Sequence, residues 1–232
     1  MQVSQSNGSF KQPLFSVDAV LFSIVDSKLS VLLVDRAIAP YKGCWALPGG
    51  YVDVDIDTCT DSTARRKLKE KTGVEPPYLE QLQSFSGADR DPRGYSVTLA
   101  YYALVGYQLV SSNVHTVDDA KWWDIASLAG LNLAFDHQLI IESALHRVQQ
   151  KSLYSMLPVY CLAKQFTIAQ LKLAIEIIIG KSIQRKSLIR RIEASDMFEL
   201  MDQKIASGGR LAQVYQLKEN VDLISFERNF SR

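Results

Sequence analysis

Residues Trp45 to Val74 constrain this chain more than any other stretch. They read WALPGGYVDVDIDTCTDSTARRKLKEKTGV. A short strand leads into the Gly49-Gly50 turn, a loop follows, and one helix is expected from about Thr58 to Thr72. Pro76-Pro77 stops that helix, because proline cannot continue the hydrogen-bond ladder. Lys67, Glu70 and Lys71 stand at i, i+3 and i+4, so they share one helix face. The paired glycines allow a backbone to approach a ligand closely.

The flanking sequence supplies strands before and after this unit. Residues 1–13 read as a flexible N-terminal arm. Phe15–Val25 and Leu29–Val34 are rich in aliphatic and β-branched residues and are split by Asp26-Ser27-Lys28, the pattern of two strands joined by a tight turn. Arg36 to Gly43 is a loop broken by Pro40 and Gly43. Leu79–Ser86, Tyr95–Val105 and Ala120–Ile125 are further strand candidates, with a polar, turn-rich loop at Gly87–Gly94. In Phe135–Gln150 the apolar positions Leu139, Ile140, Ala144, Leu145 and Val148 have helical spacing.

From residue 151 the texture changes. Lys151–Phe166 is expected to be helical with an interruption at Pro158. Thr167 is a suitable N-cap for a helix over Ile168–Ile178, with Gln170 completing a capping box, and Gly180 ends it. Gln184–Ala194 is a second helix with Leu188, Ile189 and Ile192 as its apolar stripe. Two strand candidates, Phe198–Lys204 and Leu211–Leu217, flank a hairpin loop at 205–210. Helix, turn, helix, hairpin is the order of a winged helix-turn-helix.

Charge follows the same division. Residues 151–232 carry 13 Lys/Arg against 8 Asp/Glu, a net of +5, and residues 1–150 carry 13 against 17, a net of −4. A basic second half is a candidate for nucleic acid. The segment Lys181–Arg191, KSIQRKSLIRR, holds five basic residues and no acidic one. With the apolar stripe turned inward, Gln184, Arg185, Ser187, Arg190 and Arg191 face outward. Such residues neutralise phosphates and read base edges. Lys181, Ser182, Lys186, Lys204 and Arg210 extend the candidate DNA surface, the last two on the wing. A solvated charged face is the plain alternative.

Other features restrict the class. Cys44, Cys59 and Cys161 show no paired spacing for zinc or a disulfide framework, which favours a reducing cytosol. His115, His137 and His146 form no metal-ligand spacing. The first residues lack a signal-peptide pattern, and no apolar run approaches membrane-spanning length. No membrane partner is expected.

The Trp45–Val74 stretch resembles the Nudix box, in which Gly, five residues, Glu and seven residues precede Arg-Glu-aliphatic-x-Glu-Glu-x-Gly-aliphatic. The end of that pattern aligns as Arg66, Lys67, Leu68, Lys69, Glu70, Lys71, Thr72, Gly73 and Val74. Two of the three helix glutamates are replaced, by Lys67 and Lys71, and only Glu70 remains. The earlier glutamate falls on Thr58, and the loop after Gly50 is two residues longer. The resemblance implies an α/β fold, a Nudix α/β/α sandwich over 14–150 followed by a winged helix-turn-helix over 151–232. Hard cations need several oxygen ligands, so no metal site and no catalytic residues are expected. Lysine in place of a metal ion can instead hold a diphosphate by a charge-assisted hydrogen bond. Arg66 is expected to pair with Glu70. Arg36 is a candidate phosphate or ribose contact, and Tyr41, Trp45, Tyr51 and Phe135 are candidates to stack on adenine, with a place in the core as the alternative for each. The full candidate ligand set is Arg36, Trp45, Gly49, Gly50, Tyr51, Arg66, Lys67, Glu70, Lys71 and Phe135.

A degenerate Nudix domain followed by a basic winged helix is similar to the Nudix-related transcriptional regulators of NAD metabolism. That resemblance implies a cytoplasmic bacterial repressor, a homodimer on double-stranded operator DNA, released by ADP-ribose or a related NAD metabolite, with no cofactor required. Two alternatives stay open. One is an active ADP-ribose pyrophosphatase with an accessory basic domain, its metal site rebuilt from Glu70 and loop acids Asp53, Asp55 and Asp57. The other is a structural interaction protein with an inert Nudix domain.

Overall fold

β1 (Leu14–Val25) runs through the middle of a seven-stranded sheet, and its residues Val17 to Ser23 are all buried. The computed structural model describes residues 12–110, 114–207, 210–219 and 221. β1 pairs antiparallel with β2 (Lys28–Arg36) and β4 (Gly49–Tyr51), and parallel with β6 (Ser96–Leu104). β3 (Trp45–Ala46) and β7 (Val117–Asp124) border β2, and β5 (Glu80–Gly87) borders β6. The β1–β2 hairpin turns on Asp26 and Ser27, both at positive φ (48° and 62°), which is the twist a two-residue hairpin needs.

Strand alternation sorts the sheet into two faces. Val17, Ala19 and Leu21 pack with Leu32, Tyr101 and Ala103 under Ala64 and Leu68 of α1 (Thr60–Thr72). Val20 and Phe22 pack with Val31, Leu33 and Tyr102 under Ile140, Ile141, Ala144 and Val148 of α2 (His137–Ser152). The expected α/β/α sandwich is therefore present. α1 begins two residues later than its expected start at Thr58, with Cys59 as its N-cap, and ends on Gly73 in the left-handed conformation (φ 71°).

The expected helix over Lys151–Phe166 does not form. α2 ends at Ser152, and the chain continues through a short 3-10 turn at Leu157–Cys161, with Pro158 at its start. The Ser155 hydroxyl accepts from the Leu157 amide and donates to the Lys151 carbonyl. That local alternative to a helix ladder, together with Pro158, explains the break.

The last part holds α3 (Ile168–Ile179), α4 (Arg185–Ser195) and a small sheet ordered β8-β10-β9, with β8 at Gln165–Thr167, β9 at Phe198–Ser207 and β10 at Arg210–Leu217. The Thr167–Gln170 capping box is made as expected, and Gly180 caps α3 at φ 68°. Leu188 and Ile192 of α4 pack on Leu171 and Ile175 of α3. The hairpin is longer than expected, because β9 extends to Ser207 instead of ending at Lys204. This unit is joined to the sandwich by an apolar seam: Leu157, Cys161 and Ile178 are buried within the same cluster as Phe22 and Ile140.

Candidate functional site

A cavity of about 250 Å³ opens where the carboxyl-terminal half of α1 faces β1 and β4. The sheet register builds one wall, since β4 places Gly49 beside Asp18 and Gly50 beside Val17. A Cβ on Gly49 would lie 2.3 Å from both Asp18 Oδ1 and the Val17 carbonyl. Glycine is thus required for the strand to lie this close. A Cβ on Gly50 would meet Lys67 Cδ and Cε at 3.2 Å, so the lysine stem lies along the glycine backbone.

Lys67 and Lys71 reach this cavity from one helix face, and Arg36, Arg90 and Arg93 reach it from β2 and the Asp89–Gly94 loop. Asp18 and Asp91 are the acidic groups on its wall. Burial pushes the Lys71 ammonium down to about 8, with Arg36 and Lys67 adding to the shift and Asp18 opposing it. Burial and neighbouring Arg93 also lower Arg36. A desolvated cluster of like charges is an electrostatic site for an anion, whose arrival relieves the repulsion.

Arg90 and Arg93 are each braced. Arg90 makes two bonds to Asp136, at 2.9 and 2.8 Å, and a third to Ser96 Oγ. Arg93 grips buried Asp91 at 2.9 and 2.7 Å. Phe135 adopts φ 53°, a conformation uncommon outside glycine. Its ring sits 4.9 Å from the Arg36 guanidinium and 5.9 Å from that of Arg93, and Arg93 also stands 5.4 Å from the Tyr51 ring. The opening thus joins flat aromatic and guanidinium faces to a cationic interior, as a nucleoside diphosphate requires.

The donor set does not suit a divalent cation. Glu70 is committed to Arg66 at 3.0 Å and Lys67 at 3.3 Å. Asp57 holds the other side of Arg66 at 2.6 and 2.8 Å, and that pairing keeps its carboxyl well below the usual range. Asp53 accepts from the Asp55 amide. Asp57 and Glu70 therefore brace Arg66 from its two sides, and among the described residues no carboxylate cluster stands on the face where Lys67 and Lys71 stand. Among the described residues no three Asp, Glu, His or Cys side chains are grouped to hold a metal.

The second candidate surface is α4. Arg185, Lys186, Ser187 and Arg190 are exposed, as are Lys181, Ser182 and Gln184 in the preceding turn. Glu176 accepts from the Ile183 amide at 2.8 Å, fastening that turn to α3 and fixing where α4 begins. Lys204 is exposed on β9, opposite Gln213.

Residues 15–144 match the NUDIX domain model, and residues 158–217 match the NrtR DNA-binding winged helix domain. An ADPR responsive transcriptional repressor NtrR of Acinetobacter baylyi is 37% identical over 96% of this chain and 88% of its own length. The chain belongs to the NrtR family. Shewanella oneidensis NrtR in complex with a 27mer DNA is 45% identical, with a TM-score of 0.82 over 88% of this chain and 94% of that one. The NUDIX domain of the same NrtR, complexed with ADP ribose, is 46% identical over 62% of this chain and 94% of that one, with a TM-score of 0.60.

For this NrtR-family chain, the cavity gathers Arg36, Gly49, Gly50, Tyr51, Lys67, Lys71 and Phe135 from the ligand set expected from sequence. Trp45, Arg66 and Glu70 do not line it. Trp45 packs edge-on against Trp123, 5.1 Å between ring centroids, as part of the sandwich core. Arg66 and Glu70 pair as expected, one step behind the two lysines. On α4, Arg191 is half-buried in a second crevice against Leu153 and Met156, not fully outward as expected. The side chain of Arg210 lies outside the described residues.

Sequence reasoning missed Asp18, Arg90, Arg93 and His137. His137 is buried, and burial lowers its pKa. The turn-rich loop GADRDPRG carried a usable signal, because two arginines spaced by acids in a polar loop suit an anion site. Asp18 carried another, a lone carboxylate inside an apolar strand.

Proposed function

We propose that this chain is an ADP-ribose-responsive transcriptional repressor of NAD biosynthesis or salvage genes. Residues 14–150 sense the ligand and residues 151–232 bind operator DNA as part of a homodimer. The observation that carries the reading is the convergence of Lys67 and Lys71 on Gly49-Gly50, inside a cavity ringed by Arg36, Arg90 and Arg93. The lysines hold the diphosphate without a metal ion, and Tyr51, Phe135 and the arginine faces hold the base. The exposed cations of α4 neutralise phosphates, with Gln184, Ser187 and the arginines reaching base edges. Ligand binding releases the protein from DNA, because the ligand favours a DNA-free arrangement of the two winged domains.

The same residues argue against hydrolysis as the main activity. One carboxylate between two cations supplies neither the ligands nor the charge that a divalent ion needs to activate water. The protein acts in the bacterial cytoplasm, a placement that its DNA partner requires. No helix among the described residues is long and apolar enough to cross a membrane.

Calorimetry with ADP-ribose in the presence of a chelator tests the sensing role. Binding without metal is expected, and Lys67→Glu with Lys71→Glu weakens it strongly. A gel shift on duplexes from upstream of NAD genes tests the regulatory role, with ADP-ribose releasing the shifted band. Rapid magnesium-dependent turnover of ADP-ribose, with no specific DNA binding, returns the chain to the pyrophosphatase reading.

A further inference from the structure

We infer that the stack of Tyr78 on Tyr160, clamped by Glu80 and Lys151, is the contact through which the sandwich helix α1 controls the position of the winged domain. The two rings are parallel within 3°, with centroids 5.6 Å apart. Lys151, in the last turn of α2, pairs with Glu80, and the Tyr78 hydroxyl donates to the same carboxylate. Lys151 Nζ also lies 3.0 Å from the Tyr78 oxygen. One ion pair thus locks the Tyr78 ring against β5 and α2 together.

The two tyrosines belong to different parts of the molecule. Tyr160 lies in the 3-10 turn that leads into the winged unit, and it packs on both the sandwich core and the winged core. Tyr78 follows α1 after a five-residue link, residues 73–77. The link between α1 and Tyr78 is stiff: the Gly73 amide is bonded to the Lys69 carbonyl at 3.0 Å, and Val74 is buried. Arg65 Nη1 bonds the Pro76 carbonyl at 3.0 Å, tying the link back to α1. Pro76 and Pro77 have fixed φ, which removes the remaining slack. Lys71 in the cavity and Tyr78 at the junction therefore move as one body.

Binding of an anion between Lys71 and the glycine strand draws on α1 and so on Tyr78. Two flat rings in parallel contact have few alternatives short of sliding apart, so a shift of Tyr78 displaces the Tyr160 turn. The coupling element has two arrangements, stacked and slipped, which ligand and DNA bias in opposite directions. Tyr78 and Tyr160 are positioning residues here, since neither lines the cavity nor lies on α4. The inference rests on the sensing role proposed above.

Hydrogen–deuterium exchange on the full chain, with and without ADP-ribose, tests it. In the wild type, ligand is expected to slow exchange in α1 and β4 and to change exchange in residues 153–166 and 185–195. Tyr160→Ala is expected to keep the first response and lose the second, and Tyr160→Phe to restore both. Paired Glu80→Gln and Lys151→Gln, which removes the clamp without an unpaired charge, serves if Tyr160→Ala exchanges as an unfolded chain. It is expected to lose the second response in the same way. Absence of any ADP-ribose response in α1 of the wild type overturns the sensing role itself. A normal α1 response with the distal response either absent from the wild type or intact in the folded variants overturns the inference alone.

Discussion

The backbone amide of Leu47 donates to Nδ1 of His137 at 2.8 Å. An imidazole nitrogen that accepts carries no proton, so His137 is held neutral with its proton on Nε2. That nitrogen points toward Asp18 Oδ1 at 3.7 Å. The pair fixes the strand before Gly49-Gly50 to the start of α2, and so fixes the floor of the cavity.

Acid is therefore expected to destabilise the protein through His137. Burial lowers its folded-state pKa below the ordinary 6.5. Below 6.5 the unfolded chain takes up a proton that the folded chain refuses, so stability falls as pH falls through that value. Urea unfolding near pH 7 and near pH 5 measures the loss. His137→Asn keeps an acceptor for Leu47 and removes the titration. The wild type is expected to lose more stability than this variant over the interval. An equal acid sensitivity in both proteins removes His137 from the account.

Lys71 gives the opposite pH dependence in ligand binding. Its pKa in the free protein is about 8, and an anionic ligand raises it by favouring the charged form. Affinity for ADP-ribose is expected to fall as pH rises through about 8, with proton uptake visible as a buffer-dependent binding enthalpy. Lys71→Met is expected to lose about 1.5–3 kcal/mol of affinity at neutral pH, the range for a hydrogen bond to a charged group. Lys71→Arg keeps its charge and is expected to bind with little pH dependence up to pH 9. A flat profile in the wild type contradicts the placement of Lys71 on the diphosphate.

The features legible in sequence were those carried by local pattern. α1, α3 and α4 announced themselves through spacing, caps and breakers, and each observed end falls within two residues of the expected one at the caps and stops. The lysines at i and i+4 had to share a face wherever that helix was placed. Trp45 was different: whether it faces a ligand or the core depends on Trp123 in β7, a partner fixed only by strand order. Asp18, Arg90 and His137 meet because parallel pairing of β1 with β6 brings distant loops to one end of the sheet. No local spacing encodes that meeting. The segment after α2 was misread because its apolar residues are consistent with a helix, while Ser155 and Pro158 stop the ladder.

Gly49 provides a steric test of the cavity wall. The added Cβ in Gly49→Ala would overlap the Val17 carbonyl and the Asp18 side chain at 2.3 Å, with Asp18 Cα at 2.9 Å. Backbone must move to relieve this contact, and overpacking of this kind costs about 1–3 kcal/mol. Thermal unfolding is expected to show the loss, and ADP-ribose affinity to fall with it because β4 carries Gly50 against Lys67. Gly43→Ala makes a useful contrast: its Cβ would meet no atom within 4 Å, and any cost there comes from its φ of +76°. Full stability and binding in Gly49→Ala refute the close approach.

The proposed DNA surface is separated from the cavity by its response to salt. Arg185, Lys186 and Arg190 are exposed on α4, while Leu188 and Ile192 anchor the same helix from beneath. Substituting an exposed cation by alanine leaves the anchors in place, so folding is expected to change by less than about 0.5 kcal/mol. Each phosphate contact contributes about 0.9 to the slope of log affinity against log salt on duplex DNA. A residue that only neutralises phosphate therefore lowers that slope by about 1 and weakens all sequences alike. A residue that reads a base edge instead loses about 1–3 kcal/mol on the specific site alone. Fluorescence anisotropy on specific and scrambled duplexes, at several salt concentrations, sorts the three positions into these roles. Arg185→Ala, Lys186→Ala and Arg190→Ala that all leave affinity and slope unchanged would move the interface off α4, because these residues are exposed cations of its first two turns.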